Sequence, residues 1–225
     1  MINILNKIFL RSSNLDYITK SIKDLTKDTR VYKIFDAINS FSEKSEIRYV
    51  GGCLRKIINK EEVDDIDLAT NLNPTQVCEA LKKKNISYHE TGIKHGTITA
   101  IIEKKKFEIT SLRKDVSTDG RHAIVKFSEN WKEDALRRDF TINSIYSDSY
   151  GNLFDPFNGK KDIEDGIINF VGNPEKRIKE DYLRILRYIR FFLNYSKSPH
   201  NFETIKKIKM NLDGISKLSK ERLLM

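Results

Sequence analysis

The fold is decided by one stretch of the chain, residues 49–71, which reads YVGGCLRKIINKEEVDDIDLATN. Its pattern predicts a short strand that ends at Gly51-Gly52, a helical turn from Cys53 to Asn59, and a second strand that carries Asp65 and Asp67. Because successive side chains of a strand point to opposite faces, the two aspartates are expected on the same face. The stretch therefore predicts two neighbouring carboxylates on a rigid element.

Two neighbouring carboxylates repel each other unless a cation lies between them, and Mg²⁺ prefers such oxygen ligands. The paired glycines let the backbone approach a phosphate group, to which the first amides of the following helix can donate. An isolated Asp-x-Asp is most often part of a solvated surface, but here glycines precede it and apolar residues flank it. The sequence thus predicts a metal site at Asp65 and Asp67 beside a phosphate site at Gly51 and Gly52, as nucleotidyl transfer requires.

The motif Gly51-Gly52-x-x-Arg55, followed by Asp65-Ile-Asp67-Leu-Ala-Thr, resembles the signature of the class II tRNA nucleotidyltransferase and bacterial poly(A) polymerase family. That family is a branch of the DNA polymerase beta-like nucleotidyltransferases. The resemblance implies an α+β head with a small mixed sheet, followed by a helical neck, and it implies that Gly52 and Arg55 hold a triphosphate. Lys56 stands where the family has an aspartate, a departure that concerns the local support of Arg55 and not the metal pair.

Length, charge and cysteine content fit an ordinary globular chain. The 225 residues are enough for one domain with an appendage or for two small domains. The net charge of +9 suits a polyanionic partner, although a chain rich in Lys, Ile and Asn can be basic through composition alone. Cys53 and Cys78 have no disulfide or metal-ligand spacing, which favours a reducing, cytoplasmic setting. The apolar run in residues 1–10 is interrupted by Asn6 and Lys7, so no membrane segment is expected.

Apolar periodicity and turn residues predict the remaining elements. In chain order these are helices over Asp16–Lys27 and Arg30–Phe41, a strand over Glu46–Val50, a helix from the Asn73-Pro74 cap to about Lys84, a loop over His89–His95, a hairpin of Gly96–Glu103 with Lys106–Leu112, a polar loop over Lys114–Glu129 with a turn at Asp119-Gly120, a strand over Ile167–Val171, and helices beyond Pro174.

Glu108 is expected on the polar face of the second hairpin strand. A lone strand glutamate usually faces solvent, but the run Phe-Glu-Ile-Thr-x-x-Arg that contains it resembles the family strand that supplies a third carboxylate near the metals. The resemblance therefore adds Glu108 to the catalytic set of Asp65 and Asp67. It also implies that the polar loop over Lys114–Glu129 corresponds to the flexible loop that helps the family switch from adding C to adding A.

The run EDALRRDFTIN at residues 133–143 is the second strong motif. Paired arginines flanked by acids are most often a salt-bridged surface, but this run closely resembles the family motif Asp-Leu-x-Arg-Arg-Asp-Phe-Thr-x-Asn. The resemblance implies that Arg138 binds the triphosphate, because a guanidinium fork suits phosphate oxygens. It further implies that Asp139 orients this arginine, that Asn143 contacts the ribose, and that Asp134 gives support from behind.

A helix is predicted over Glu180–Phe192, with two stripes. The apolar stripe comprises Leu183, Leu186, Ile189 and Phe192. The opposite, charged stripe comprises Asp181, Arg184, Arg187 and Arg190. On spacing alone, the charged stripe is best explained as a solvated ladder of ion pairs.

The charged stripe also resembles the family motif Glu-Asp-x-x-Arg, the amino-acid template that selects the incoming base. On that basis Asp181 accepts from the exocyclic amine that C and A share, and Arg184 donates to the neighbouring ring atom. U lacks the amine and G presents the wrong pattern, so either base would leave a desolvated group unpaired. Tyr182 replaces the usual proline of the motif.

The resemblance implies a head over residues 1–172 and a truncated neck over residues 173–225. Residues 215–222 resemble the start of the family's next motif, Ser-x-Glu-Arg, and family members continue into a long helical body that grips the tRNA. The chain is therefore expected to lack that body, which a second chain could supply.

The implied activity is template-independent addition of C and A to tRNA 3′ ends from CTP and ATP, with two Mg²⁺ ions and release of pyrophosphate. A poly(A) polymerase, or an enzyme of a split pair that adds only A, shares the same motifs. An inactive RNA-binding remnant is the alternative outside enzymes. The expected partners are an RNA 3′ end, CTP and ATP, with no membrane.

Overall fold

The computed structural model describes residues 15–118 and 123–223. The helices are α1 (15–26), α2 (Thr29–Asn39), α3 (Gly52–Ile58), α4 (Pro74–Lys83), α5 (Trp131–Arg137), α6 (Gly159–Asp165), α7 (Pro174–Glu180), α8 (Leu183–Tyr195), α9 (Phe202–Lys209) and α10 (Lys220–Leu223). The strands are β1 (Ile47–Val50), β2 (Asp67–Thr70), β3 (Ser87–Gly92), β4 (Thr97–Ile102), β5 (Lys105–Ser111), β6 (Arg113–Thr118), β7 (Ala123–Phe127), β8 (Tyr146–Ser147) and β9 (Leu153–Phe154).

Two predicted features, the apolar run in residues 1–10 and the turn at Asp119-Gly120, lie outside the described residues. Within the described ranges, every helix is too short or too polar to cross a membrane.

The chain divides into two compact units. Among the described residues, the first comprises 15–111 and 146–154, and the second comprises 112–118, 123–145 and 155–223. The predicted boundary between a head and a neck at residue 172 does not coincide with this division, and it stays a prediction.

The first unit is built on a seven-stranded sheet in the order β3-β4-β5-β2-β1-β8-β9. Only the β2–β5 pair is parallel, and the other neighbours are antiparallel. The predicted small mixed sheet of an α+β fold is therefore confirmed.

Local signals explain why the elements of this unit begin and end where they do. Gly51 ends β1 with a φ of 69°, a left-handed conformation that favours glycine. Asn73 caps α4 in a reciprocal pair of hydrogen bonds with Gln76, and Pro74 occupies the first helical position. Burial alternates along β4 and β5, which explains why the hairpin was predicted from its apolar residues.

The core of the second unit is aromatic. The ring of Phe140 lies 4.8 Å from that of Phe170 and 5.4 Å from that of Phe191, measured between centroids. Tyr188 stacks on Phe170 at 5.7 Å. All four side chains are buried, so α8 is packed onto the segments around residues 140 and 170 through rings that prefer tilted or offset contacts.

Three of the predicted loops and strands outside the two aspartates and the charged helix are wrong. The loop over His89–His95 is partly β3, an edge strand whose exposed polar residues give no apolar alternation. The polar loop over Lys114–Glu129 contains β6 and β7, which pair as a separate two-stranded sheet. The strand over Ile167–Val171 is reduced to one bridge between Phe140 and Phe170, because its apolar residues serve the aromatic core.

Truncation of Leu68 in β2 is expected to destabilise the chain, because this side chain is fully buried behind the exposed Asp67. Leu68→Ala should lower the free energy of unfolding by about 2–5 kcal/mol. Leu193→Ala makes the same change at a position that is 76% exposed and should alter it by less than about 0.5 kcal/mol. Urea denaturation followed by circular dichroism compares the two, and equal effects would contradict this assignment of the core.

Candidate functional site

Asp67 and Glu108 are neighbours on one face of the sheet. The parallel register of β2 and β5 pairs Asp67 with Glu108 and Leu68 with Ile109. Both carboxyl-bearing residues are exposed, whereas Leu68 and Ile109 are fully buried. Because register partners in adjacent strands have side chains on the same face, the structure brings these two predicted catalytic residues together.

Asp65 does not lie in a strand. β2 begins at Asp67, and residues 61–66 have no regular secondary structure. Exposure still alternates, since Asp65 and Asp67 are exposed on either side of the buried Ile66. The pairing of β2 with β1 ends at Leu68, and its pairing with β5 ends at Asp67. No neighbouring strand therefore fixes Asp65, and the prediction that one rigid strand carries both aspartates is wrong.

The glycine pair lies beside Asp67. A Cβ atom added to Gly52 would be 3.8 Å from Asp67 Oδ2 and 3.9 Å from Arg55 Nη2. Because Gly52 has no side chain, the space next to both groups is open, and this space is called the gap at Gly52. Cys53 packs the same turn against β2, with its Sγ 3.8 Å from the backbone oxygen of Asp67, and burial raises the pKa of this thiol to about 12 with a further contribution from Asp67.

The donor set on this face suits a magnesium ion. Its groups are hard carboxylate oxygens, and the gap at Gly52 borders Asp67. In the part of the chain that the structure describes, no three His, Cys, Asp or Glu side chains converge closely enough to hold a metal alone. Mg²⁺ is often bound by one or two carboxylates together with substrate phosphates, so Asp65 and Asp67 fit this mode of binding.

Lys56, the residue that departs from the family motif, pairs with an acid beside the site. Its ammonium donates to the Asp64 carboxylate. The Lys56 ammonium and two backbone amides hold the pKa of Asp64 below its ordinary value. The position thus contributes a cation to the segment that carries Asp65.

Asp134 organises the arginines of the second motif. Its carboxylate is 1% exposed and accepts from Arg137 Nε at 2.8 Å and from Arg138 Nη2 at 3.2 Å. It also accepts from the backbone amide of Arg113 at 3.2 Å. One buried charge with two guanidinium partners satisfies the requirement that buried ions be paired. The contact with Asp134 also fixes the orientation of the Arg138 guanidinium.

Asp139 pairs with a different arginine from the one predicted. Its carboxylate accepts from Arg187 Nε at 2.5 Å, from the Asn143 amide at 3.2 Å and from the Phe140 amide at 2.9 Å. The prediction that Asp139 orients Arg138 is therefore wrong, since Asp134 does so. Burial acts to raise the pKa of Asp139, but Arg187 and the other donors outweigh burial and lower the pKa below its ordinary value.

The predicted helix over Glu180–Phe192 is broken. α7 ends at Glu180, Asp181 has an extended backbone with φ −158°, and α8 begins at Leu183. Asp181 therefore lies outside the stripe of α8: its carboxylate accepts from the Leu183 amide at 3.0 Å and from Arg222 Nη2 at 2.9 Å. A carboxylate with this bond competes with helix continuation at that point.

The buried face of α8 also differs from the prediction. Ile185, Tyr188 and Phe191 are buried, whereas Ile189 of the predicted apolar stripe is 44% exposed. Two apolar stripes run along this helix, and their spacing alone does not decide which one meets the core. Arg190 is exposed, with its guanidinium carbon 5.4 Å from the centre of the Phe191 ring.

Arg184 belongs to a second charged cluster that was not predicted. Its Nη1 donates at 2.7 Å both to Glu180 and to the backbone oxygen of Arg177. Arg177 in turn donates to Glu180 and, at 2.7 Å, to the backbone oxygen of Arg138. Burial and the charge of Arg184 lower the pKa of Arg177. This cluster ties the end of α5 to α7 and α8.

The sequence contained a signal for this second cluster. Arg177, Glu180 and Arg184 recur at three- and four-residue spacing, the pattern of ion pairs along a helix. Arg113 is the last residue of the run Phe-Glu-Ile-Thr-x-x-Arg that contains Glu108. Its guanidinium is largely buried, and burial together with the charge of Arg137 lowers its pKa to about 10.

Comparison with known proteins identifies what the chain is similar to. The sequence profile of the poly A polymerase head domain matches residues 47–169. Over 184 residues the chain is 46% identical to the mitochondrial CCA tRNA nucleotidyltransferase 1 of Homo sapiens, a match that covers 80% of this chain and 42% of that protein. Over 182 residues it is 38% identical to the CCA-adding enzyme of Lactobacillus johnsonii, covering 79% and 44%.

The crystal structure of Bacillus stearothermophilus CCA-adding enzyme in complex with CTP has a similar fold, with a TM-score of 0.73 and 31% identity. That match covers 84% of this chain and 44% of the solved chain. The likeness confirms the predicted head fold of the DNA polymerase beta-like class. The chain spans less than half the length of each of these three proteins.

The buried Asp139–Arg187 pair predicts a specific dependence of stability on pH. Because the pKa of Asp139 is lower in the folded chain than in the unfolded chain, its stabilising contribution is complete above the unfolded value and is lost as the pH falls through the folded value. Asp139→Asn should therefore cost about 2 kcal/mol near pH 7, and the difference from the wild type should shrink below about pH 4.

Urea denaturation at several pH values measures this difference, with Asp213→Asn as the control for loss of an exposed acid. A difference between wild type and Asp139→Asn that stayed constant from neutral to acidic pH would show that the pair does not form.

Proposed function

The chain belongs to the poly A polymerase head domain family, and we propose that it is a template-independent RNA nucleotidyltransferase that adds C and A to tRNA 3′ ends. The nucleotide donors would be CTP and ATP, with release of pyrophosphate. The names of its relatives in human mitochondria and in Lactobacillus support this choice of product. The whole chain's activity and substrates are part of the proposal, because the chain spans under half of those relatives.

The observation that carries the proposal is the pairing of exposed Asp67 with exposed Glu108 beside the gap at Gly52. Asp65 and Asp67 would hold Mg²⁺, and Glu108 would complete the acidic set. Bound there, the metal would lower the pKa of the RNA 3′-hydroxyl and neutralise the charge of the departing pyrophosphate. Gly51 and Gly52 would admit the phosphates to the backbone, and Arg55, whose tip borders the gap, would donate to them.

In the second unit, Arg138 is proposed to bind phosphate oxygens. Its orientation is set by the buried Asp134, so little side-chain freedom is lost when a ligand binds. Asn143 is proposed to contact the ribose, and its amide is already oriented by Asp139 at 3.2 Å. Arg187 is bound to the same carboxylate, while Arg190 is exposed and would add positive charge along α8.

Asp181 and Arg184 are proposed to read the base. Each oxygen of Asp181 accepts one described hydrogen bond, which leaves a lone pair for the exocyclic amine of C or A. Arg184 uses both hydrogens of Nη1 in described contacts and one of Nη2, so its Nε and one Nη2 hydrogen can donate to the ring. U would place a carbonyl oxygen against the Asp181 carboxylate. Because both groups are acceptors, no hydrogen bond forms and both are left unpaired.

Poly(A) addition is the first alternative, because the chain belongs to the poly A polymerase head domain family. An enzyme that adds only A, with a second chain supplying the tRNA-binding body, has the same site. A cytoplasmic location is proposed from the cysteine pattern, since both thiols are free, although the human relative is mitochondrial.

Purified protein with Mg²⁺ and both CTP and ATP, one of them labelled at a time, is expected to complete CCA on tRNA that ends in no tail, C or CC. Asp67→Asn should reduce the rate of CMP incorporation by about 10³-fold, because a metal-binding charge is lost, whereas Glu79→Gln, at an exposed site on α4, should not change it.

Other products distinguish the alternatives. Addition of A alone would support the split enzyme, and long A tails on any RNA would support the polymerase. No incorporation by the wild type, or full activity of Asp67→Asn, would contradict the proposed function.

Asp181→Ala should relax the choice among the four nucleotides. Loss of an acceptor for the exocyclic amine is expected to reduce the preference for CTP over UTP by roughly tenfold or more. Asp181→Asn, which keeps an oxygen for the Leu183 amide, separates base recognition from helix capping. The ratio of kcat/KM values is the measurement, with Asp213→Ala as control, and an unchanged ratio in both Asp181 variants would remove this residue from the site.

A further inference from the structure

The segment that carries Asp65 is held at both ends by one residue, Lys56. Residues 61–66 have no regular secondary structure, so the hydrogen bonds of β2 do not fix Asp65. At the start of this segment, the backbone oxygen of Lys56 accepts from the Glu61 amide at 2.8 Å. Near its end, the Lys56 ammonium donates to the Asp64 carboxylate, and the same oxygen of Asp64 accepts from the Asp65 amide at 2.9 Å.

The end of α3 makes this double contact possible. Lys60 follows the helix in the left-handed region, with φ 61°, and its amide donates to the oxygen of Ile57 at 3.0 Å. Together with the bond from Glu61 to Lys56, this is a common way for a helix to end and for the chain to reverse direction. The reversal returns the following segment to within reach of the Lys56 side chain.

We propose that Lys56 is a positioning residue for the metal ligand Asp65. Through Asp64 it holds the irregular segment before β2 in one conformation, so that Asp65 stays next to Asp67. The inference rests on the proposed function, which makes these two aspartates the metal ligands. An exposed ion pair is weak, but a ligand on an irregular segment must be ordered before it binds, and that ordering entropy weakens the binding.

The charge of Lys56 is matched to Asp64. The related motif has an aspartate at this position, and a carboxylate here would face the Asp64 carboxylate and repel it. In this chain the cation at position 56 and the acid at position 64 therefore act as a pair, and the departure from the motif has a physical role at the site.

Binding of Mn²⁺ alone to the full chain, followed by the electron paramagnetic resonance signal of the free ion, tests the proposal. Lys56→Met should weaken Mn²⁺ binding by about threefold, and Lys56→Asp by more, because it adds repulsion. The exchanged pair, Lys56→Asp with Asp64→Lys, should return to within about twofold of the wild type. Lys60→Met is the matched control, since its ammonium lies over the Tyr17 ring and not on Asp64.

Hydrogen exchange of the amides in residues 61–66 gives a second measurement that involves no metal. Exchange should be faster in Lys56→Met than in the wild type and unchanged in Lys60→Met. Faster exchange without weaker Mn²⁺ binding would overturn the proposal, as would an exchanged pair that binds Mn²⁺ no better than Lys56→Asp.

The failure of this inference is distinguishable from that of the proposed function. If the wild type shows no Mn²⁺ binding that is lost in Asp67→Asn, there is no metal site at Asp67. The proposed function and the positioning role are then both contradicted. If that site exists and its affinity is the same in the wild type and in Lys56→Met, only the positioning role is overturned.

Discussion

The parallel pairing of β2 with β5 is the constraint on which the first unit depends. Its register places the carboxylates of Asp67 and Glu108 side by side while Leu68 and Ile109 are buried on the opposite face. A one-residue slip would exchange the two faces, so burial of the apolar pair also fixes the acidic pair. Two adjacent negative charges cost free energy, and the buried layer behind them opposes that cost.

The second unit has buried carboxylates, whereas Asp67 and Glu108 of the first unit are exposed. Asp134 and Asp139 are buried, and each is bound by arginine. Removal of either partner would leave an uncompensated buried charge, so such pairs fix geometry more than they add net stability. The consequence for ligand binding is favourable, because the guanidinium of Arg138 is oriented before any ligand arrives and a preorganised donor loses less entropy.

Elements with a local signal were predictable from the sequence, and those without one were not. The turn at Gly51 and the capped start of α4 depend on residues within four positions of each other. The partner of Asp139 is 48 residues away, and its choice depends on how α8 packs against the aromatic core. The family resemblance linked Asp139 to its neighbour Arg138, but the chain direction changes where α5 ends, and Asp134 is the acid that binds this arginine.

The same limit applies to the departure at Lys56. Compared position by position with a motif, a lysine in place of an aspartate is the loss of a carboxylate. The structure shows an ion pair instead, because the reversal after α3 places Asp64 within reach of the lysine. The effect of a charge reversal in a motif therefore depends on the residue that pairs with the new charge in the folded chain. Here that residue is Asp64, which directly precedes Asp65. The position can affect the acidic site without touching it.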